Sequence, residues 1–308
     1  MIGLVPKRAV SFLIGDSHLG KSAFAYQLGL CVAAGIPFLG MPTEQGLVVY
    51  LDYENPLDDS KKLRDQLVRF LELPKVPSDF IVWSAYNPKN ENGLALSLDS
   101  VCAGKPRLLI VDSLRSHKPD FEKGDHCSSE MNRLNDLARK YGVAILVIHH
   151  IRKPKTGDGN SVPPLDSDTP LRLWLNEAAG HRAITNLSHT RIAVDGPDRR
   201  NSKAEAAALV LRWHQRLRND AGPVYLERVY DGDGEELGYR RIANVELLGK
   251  AEQIDAFKKL PQQFTFGQAM TLYDRANDPT RKFLMKCIEL GLIRQTGRGQ
   301  YERLVGAV

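Results

Sequence analysis

The sequence predicts an α/β fold: a mostly parallel sheet flanked by helices, an antiparallel extension of that sheet, and a small helical domain behind it. Three observations carry this expectation. Short apolar runs alternate with helix-like stretches through the first half of the chain. A glycine-containing loop joins the first apolar run to the first helical pattern. The last sixty or so residues then change character, so domains at residues 1–248 and 249–308 are expected.

Residues 9–14 (Ala-Val-Ser-Phe-Leu-Ile) form the first strand candidate, and a helical pattern from Lys21 to about Ala34 follows, with Phe24, Leu28 and Cys31 at helical spacing. Gly35, Pro37 and Gly40 mark a loop. Leu47–Tyr53 reads as a second buried strand and Pro56–Leu71 as a charged amphipathic helix. Further strand candidates are Phe80–Trp83, Arg107–Val111 and Val143–Ile148. The stretch from Lys153 to Pro170 is rich in Gly, Pro, Asp and Ser, a length and composition typical of functional loops. Beyond it come a short helix near Arg182–Leu187 and strands at Arg191–Val194, Ala207–Trp213, Val224–Val229 and Tyr239–Ile242, read as the antiparallel extension. The C-terminal region reads as helices at Ala251–Leu260, Phe266–Tyr273 and Pro279–Leu290, then a hairpin at Leu292–Leu304 around a Gly-Arg-Gly turn. That layout is the winged-helix variant of helix-turn-helix.

Composition narrows the class. Hydrophobic residues at 43% and charged residues at 26% exclude a disordered or fibrous chain. The longest apolar runs are too short to span a bilayer, and the Met1 region runs into a strand rather than a secretory leader. Cys31, Cys102, Cys127 and Cys287 are scattered without metal spacing, so reduced thiols and a cytoplasmic location are expected. A net charge of +5 is compatible with a nucleic-acid partner without demonstrating one.

The chemistry concentrates at strand ends. Gly15-Asp16-Ser17-His18-Leu19-Gly20-Lys21-Ser22 matches GxxxxGK[ST] between a strand and a helix. Backbone N–H groups there cradle phosphates, Lys21 neutralises the terminal phosphates of ATP, and Ser22 ligates Mg²⁺. His18 occupies a position that can require left-handed backbone, which histidine tolerates better than most residues. Leu108-Leu-Ile-Val-Asp112 is an apolar strand ending in a carboxylate, placing Asp112 in the Mg²⁺ shell from a strand expected beside the loop's own strand. Asp52 and Glu54 end another strand and, by alternation, should face the same side, with Glu54 positioned to orient and deprotonate an attacking water. A helix-capping or surface acid before Pro56 is the bland alternative for Glu54. His149 and His150 face opposite ways on their strand, which argues against a shared metal; His150 is the candidate sensor of the γ-phosphate.

These segments, the phosphate loop, "YLDYEN", "LLIVDS" and "LVIHHIRKP", occur in the order seen in RecA-like ATPases, and the chain most resembles the branch of plasmid RepA-type hexameric helicases. The resemblance covers roughly Gly3 to Ile242 and is strongest up to Lys153. It implies that Lys21, Ser22, Glu54, Asp112 and His150 take the roles above. It also implies an arginine finger acting across a subunit boundary, with Arg191 the nearest match and Arg182 the second. Two loops at the ring centre would bring Arg115, Lys118 and Lys123, then Arg152, Lys153 and Lys155, to single-stranded DNA. Arg281, Lys282 and Arg298 of the winged helix would meet duplex DNA, or that domain would contact a neighbouring subunit instead. The implied function is an ATP-driven, ring-forming, hexameric replicative-type DNA helicase. Two alternatives stay open: a recombination- or partition-type DNA-binding ATPase, and a winged-helix regulator in which ATP sets assembly.

Overall fold

The first apolar run becomes β1 (Val10–Gly15), every residue of it buried. In this computed structural model the described residues are 4–84, 97–113, 116, 124–151, 164–166, 170–176, 182–197, 207–216, 220–290 and 292–304. After β1 the chain continues through α1 (Lys21–Ala34), β2 (Val48–Asp52), α2 (Leu57–Phe70), β3 (Phe80–Ser84), α3 (Leu98–Ala103), β4 (Leu108–Asp112), α4 (Gly124–Tyr141) and β5 (Ala144–His150). Two short helices, α5 (Leu171–Leu175) and α6 (Ala183–Leu187), precede β6 (Thr190–Asp195), β7 (Leu209–Gln215), β8 (Ala221–Tyr230) and β9 (Glu236–Arg241).

These strands form one nine-stranded sheet in the order β3-β2-β4-β5-β1-β6-β7-β8-β9. Its parallel part runs from β3 to β6, and β7 and β8 are antiparallel. Buried on both faces, parallel strands read as continuous apolar runs, which is why β4 and β5 carry so few polar residues. The order corrects two sequence expectations. β5, not β4, lies beside β1, so Asp112 stands one strand further from the loop than expected. The extension begins only at β7, because β6 pairs in parallel with β1.

α1 is apolar nearly all round because both its sides are covered; Phe24, Leu28 and Cys31 join the main core. Part of that cover is the β8–β9 hairpin. Gln27 donates from Nε2 to the Tyr239 carbonyl at 2.8 Å and accepts the Tyr239 N–H at 2.9 Å, serving as a backbone partner for β9. Gly238 packs directly on Phe70 and Leu67 of α2. The hairpin turn is tied to the same helix through Lys62–Glu235 and Gln66–Glu235, both at 3.2 Å.

The chain divides into two compact units, residues 1–198 with 208–240, and residues 199–207 with 241–308. The described part of the second begins with a 3₁₀ turn (Glu246–Leu248), then α7 (Ala251–Lys259), β10 (Gln263–Thr265), α8 (Phe266–Tyr273), α9 (Asn277–Glu289), β11 (Ile293–Gly297) and β12 (Gln300–Arg303). Its three strands form a separate antiparallel sheet in the order β10-β12-β11. Thr265 starts α8 with a reciprocal capping box to Gln268. Phe257, Phe264, Phe283, Cys287 and Ile293 build its own core. Among the described residues no helix is long and apolar enough to cross a membrane.

Candidate active site

The loop after β1 turns sharply into α1, and its backbone explains its glycines. Gly20 sits at φ 81°, in the left-handed region where any side chain is strained. A Cβ on Gly15 would lie 2.6 Å from Val194 of β6, so that neighbouring strand leaves no room for one. His18 also adopts left-handed backbone, at φ 62°. Lys21 is 6% exposed, and its Nζ donates to the Asp16 carbonyl. Burial lowers its pKa, opposed by the nearby charges of Asp112, Glu54 and Asp16.

Two carboxylates stand side by side below the loop. Asp52 and Asp112 end neighbouring strands in direct register, and both are fully buried. They are handled differently. Asp52 accepts from Tyr26 Oη at 3.0 Å, Ser60 Oγ at 2.8 Å, and both the backbone N–H and the side-chain amide of Asn55. Asp112 accepts from Tyr50 Oη at 2.7 Å and from Ser22, while its Oδ1 is buried without a hydrogen bond among the described residues. Burial pushes the Asp112 carboxyl up to about 6, and the charges of Asp52 and Glu54 add to the effect. An orphaned carboxylate oxygen beside the Ser22 hydroxyl is a donor pair suited to a hard divalent cation such as Mg²⁺.

Glu54 lies just past β2. The expectation that it shares a face with Asp52 does not hold. β2 ends at Asp52, whose Oδ1 accepts the N–H groups of Glu54 and Asn55, and this turn breaks the alternation. Asp52 therefore braces the loop to α1 and α2, whereas Glu54 swings toward β4 and β5. There Ser113 Oγ donates to Glu54 Oε1, Ser116 Oγ donates at 3.2 Å, and His150 Nε2 lies 3.6 Å away. His150 and the serines hold the Glu54 carboxyl down at about 2, so it is ionised at neutral pH. His150 ends β5 opposite Gly15, and its Nδ1 is buried without a hydrogen bond among the described residues. His149 is instead buried edge-on against Phe12.

The structure thus brings Lys21, Ser22, Asp112, Glu54 and His150 together. Arg191 lies elsewhere: it sits opposite Phe12 toward the start of β1, half-buried, and its Nη1 donates to the Thr185 carbonyl at 2.8 Å. Arg182 is exposed at the start of α6. Arg115, Lys118, Lys123, Arg152, Lys153 and Lys155 lie outside the described residues. In the second unit Arg281 and Lys282 are exposed on α9 and Arg298 in the β11–β12 turn. Thr280, beside them on the same helix, is fully buried, with its hydroxyl donating to the Ala276 carbonyl at 3.0 Å. Sequence reasoning missed Ser113, Ser116, Tyr26 and Tyr50. The two serines follow the Asp112 strand closely enough to have been suspected, but nothing local marks the tyrosines. It also missed Arg228 and Tyr239, whose hairpin reaches the loop from far along the chain.

A family model described as an AAA domain matches residues 1–156, just over half of the chain. The DNA repair and recombination protein RadB of Pyrococcus abyssi is 26% identical over 151 residues, 48% of this chain and 61% of that protein. The match therefore spans about three fifths of this curated relative. A crystal structure of the RadB recombinase superposes with a TM-score of 0.50 at 17% identity, covering 77% of this chain and 92% of the other, a likeness of fold.

Proposed function

The chain belongs to the AAA domain family, and from that premise we propose that it is an ATPase of RecA-like fold that works on DNA. The carrying observation is the convergence at the ends of β1, β2, β4 and β5 of a phosphate loop, an orphaned carboxylate oxygen and an ionised glutamate. Ser22 and Asp112 would hold Mg²⁺, which supplies charge neutralisation on the phosphates. Lys21 leaves the Asp16 carbonyl to meet the terminal phosphates. Glu54 orients water for in-line attack and takes its proton, and His150, in contact with that carboxylate, senses the γ-phosphate end. Arg191, or Arg182 in its place, completes a neighbouring subunit's site. Arg182 is the freer of the two, since Arg191 already spends a guanidinium nitrogen on Thr185.

For the partner, the similarity to RadB favours a recombination-type DNA-binding ATPase, and the ring-forming helicase is the second reading. The helix–strand–helix–helix–strand–strand order of the second unit supports a winged helix, with the exposed Arg281, Lys282 and Arg298 as its DNA-facing charge. ATP turnover measured with and without single-stranded DNA tests the assignment, alongside mass determination with a non-hydrolysable analogue. Stimulated turnover with filaments fits the first reading, and stimulated turnover with closed hexamers the second. Slow, unstimulated hydrolysis with sequence-selective duplex binding would overturn both in favour of an ATP-set regulator.

A further inference from the structure

The phosphate loop is walled on one side by residues from far along the chain. A Cβ on Gly20 would lie 1.9 Å from Tyr239 Oη and 3.8 Å from Arg228 Nη2, so both side chains stand against the turn that precedes Lys21. Tyr239 is 1% exposed, and Gln27 fixes its backbone on α1. Its hydroxyl makes no hydrogen bond of normal geometry among the described residues, nor does the buried Arg228 Nε. The guanidinium lies over the Tyr239 ring, 6.0 Å from its centroid, and Nη1 is 3.3 Å from Glu236 Oε2. The Tyr239 hydroxyl and the Arg228 guanidinium, which share Glu236 as their acceptor, thus stand against the turn that precedes Lys21, whose own charged neighbours are the carboxylates Asp16, Glu54 and Asp112.

We propose that Arg228, seated on Tyr239, is a further nucleotide-binding residue, supplied by the same subunit, that donates to the phosphate chain of the nucleotide in the loop. The proposal rests on the reading of that loop as an ATP site. A guanidinium matches phosphate geometry with paired donors, which a second lysine would not. Glu236 acts as the resting partner that Arg228 exchanges for phosphate. The buried, backbone-pinned Tyr239 sets how far the guanidinium reaches.

Binding of Mg-ADP and Mg-ATPγS is measured by titration calorimetry for the parent, Lys21→Ala, Arg228→Gln and Glu236→Gln. Arg228→Gln keeps a long polar side chain in the hairpin, and its unliganded unfolding transition verifies the fold. Because the guanidinium is partly solvent-exposed, its loss should weaken binding by roughly three- to tenfold. Glu236→Gln should tighten binding, since it releases the arginine, whereas a hairpin that merely packs on the loop would be weakened by either change. Equal affinity of parent and Arg228→Gln, with binding lost in Lys21→Ala, would overturn the proposal and leave the ATP site standing. Weaker binding in both hairpin variants would also overturn it. A parent protein that binds neither nucleotide would remove the ATP site itself.

Discussion

Replacing Gly20 by alanine should destabilise the first unit by about 2–4 kcal/mol, and adding Tyr239→Phe should recover about half of that loss. The backbone contribution comes from φ 81°, where a side chain costs about 1–2 kcal/mol, partly offset by the stiffer unfolded chain. The packing contribution comes from Tyr239. The new methyl would stand 1.9 Å from its Oη, far inside an ordinary contact, but 3.2 Å from ring carbon Cζ, which is only tight. Tyr239 has no room to swing away, because its ring is buried in the main core and Gln27 holds its backbone in place. Overpacking of this kind costs about 1–3 kcal/mol. In the Tyr239→Phe background the offending oxygen is gone and mainly the backbone cost remains. The Tyr239→Phe single variant measures what the hydroxyl contributes through its neighbours Glu236 and Arg228, so that effect drops out of the coupling. The assay is urea unfolding of the four proteins without nucleotide, followed by tryptophan fluorescence. Trp83, Trp174 and Trp213 all lie in the first unit, so the signal ignores the second. A coupling of at least about 1 kcal/mol is expected; additivity within about 0.5 kcal/mol would show that Tyr239 does not stand against the loop.

Other consequences are equally direct. Glu54→Gln should retain nucleotide affinity and lose roughly 10²–10⁴ in turnover, and turnover at the parent rate would mean that another group activates the water. Asp112→Asn should stabilise the protein in divalent-free buffer. Its folded pKa of about 6 lies above the ordinary 3.8, so ionisation costs nothing below the lower value and its full amount above the higher. The gain in urea unfolding should be about 3 kcal/mol at pH 7.5 and about half that at pH 5, and a pH-independent effect refutes the assignment. Tyr26→Phe strips one donor from a fully buried carboxylate and should cost about 2 kcal/mol at neutral pH; an unchanged midpoint would mean that Asp52 does not depend on it. Arg191→Ala mixed with Lys21→Ala should regain ATPase activity through interfaces that combine an intact loop with an intact finger. No recovery despite subunit exchange would remove Arg191 as the finger.

The core of the site was legible because buried parallel strands announce themselves as apolar runs, and because a phosphate loop is a local motif. Lys21, Ser22, Asp112 and Glu54 each stand at the end of such a run or loop. What was not legible is lateral. Strand order cannot be read from one sequence, so β4 was set beside β1 when β5 intervenes. The roles of Asp52 and Glu54 were not separable by alternation, because a side-chain turn ends β2 between them. β10 and α5, at three and five residues, are too short to show a period. Arg228 and Tyr239 carry no local signal at all; only the packing of a hairpin on α1 brings them to the loop.

The bond between Gln27 and Tyr239 joins residues 212 positions apart, and this sets the order in which the site can be born. When the ribosome has delivered residue 156, where the family match ends, the loop, Asp112 and Glu54 have all been synthesised. Yet β6, which closes the free side of β1, and the hairpin that walls Gly20 are still unmade. At typical elongation speeds, reaching residue 240 takes roughly 4–17 seconds more. Until β6 emerges within that interval, the fully buried strand β1 of the finished sheet is an uncovered apolar edge, open to pairing with another nascent chain. A fragment cut at residue 156 would hold that exposed state permanently.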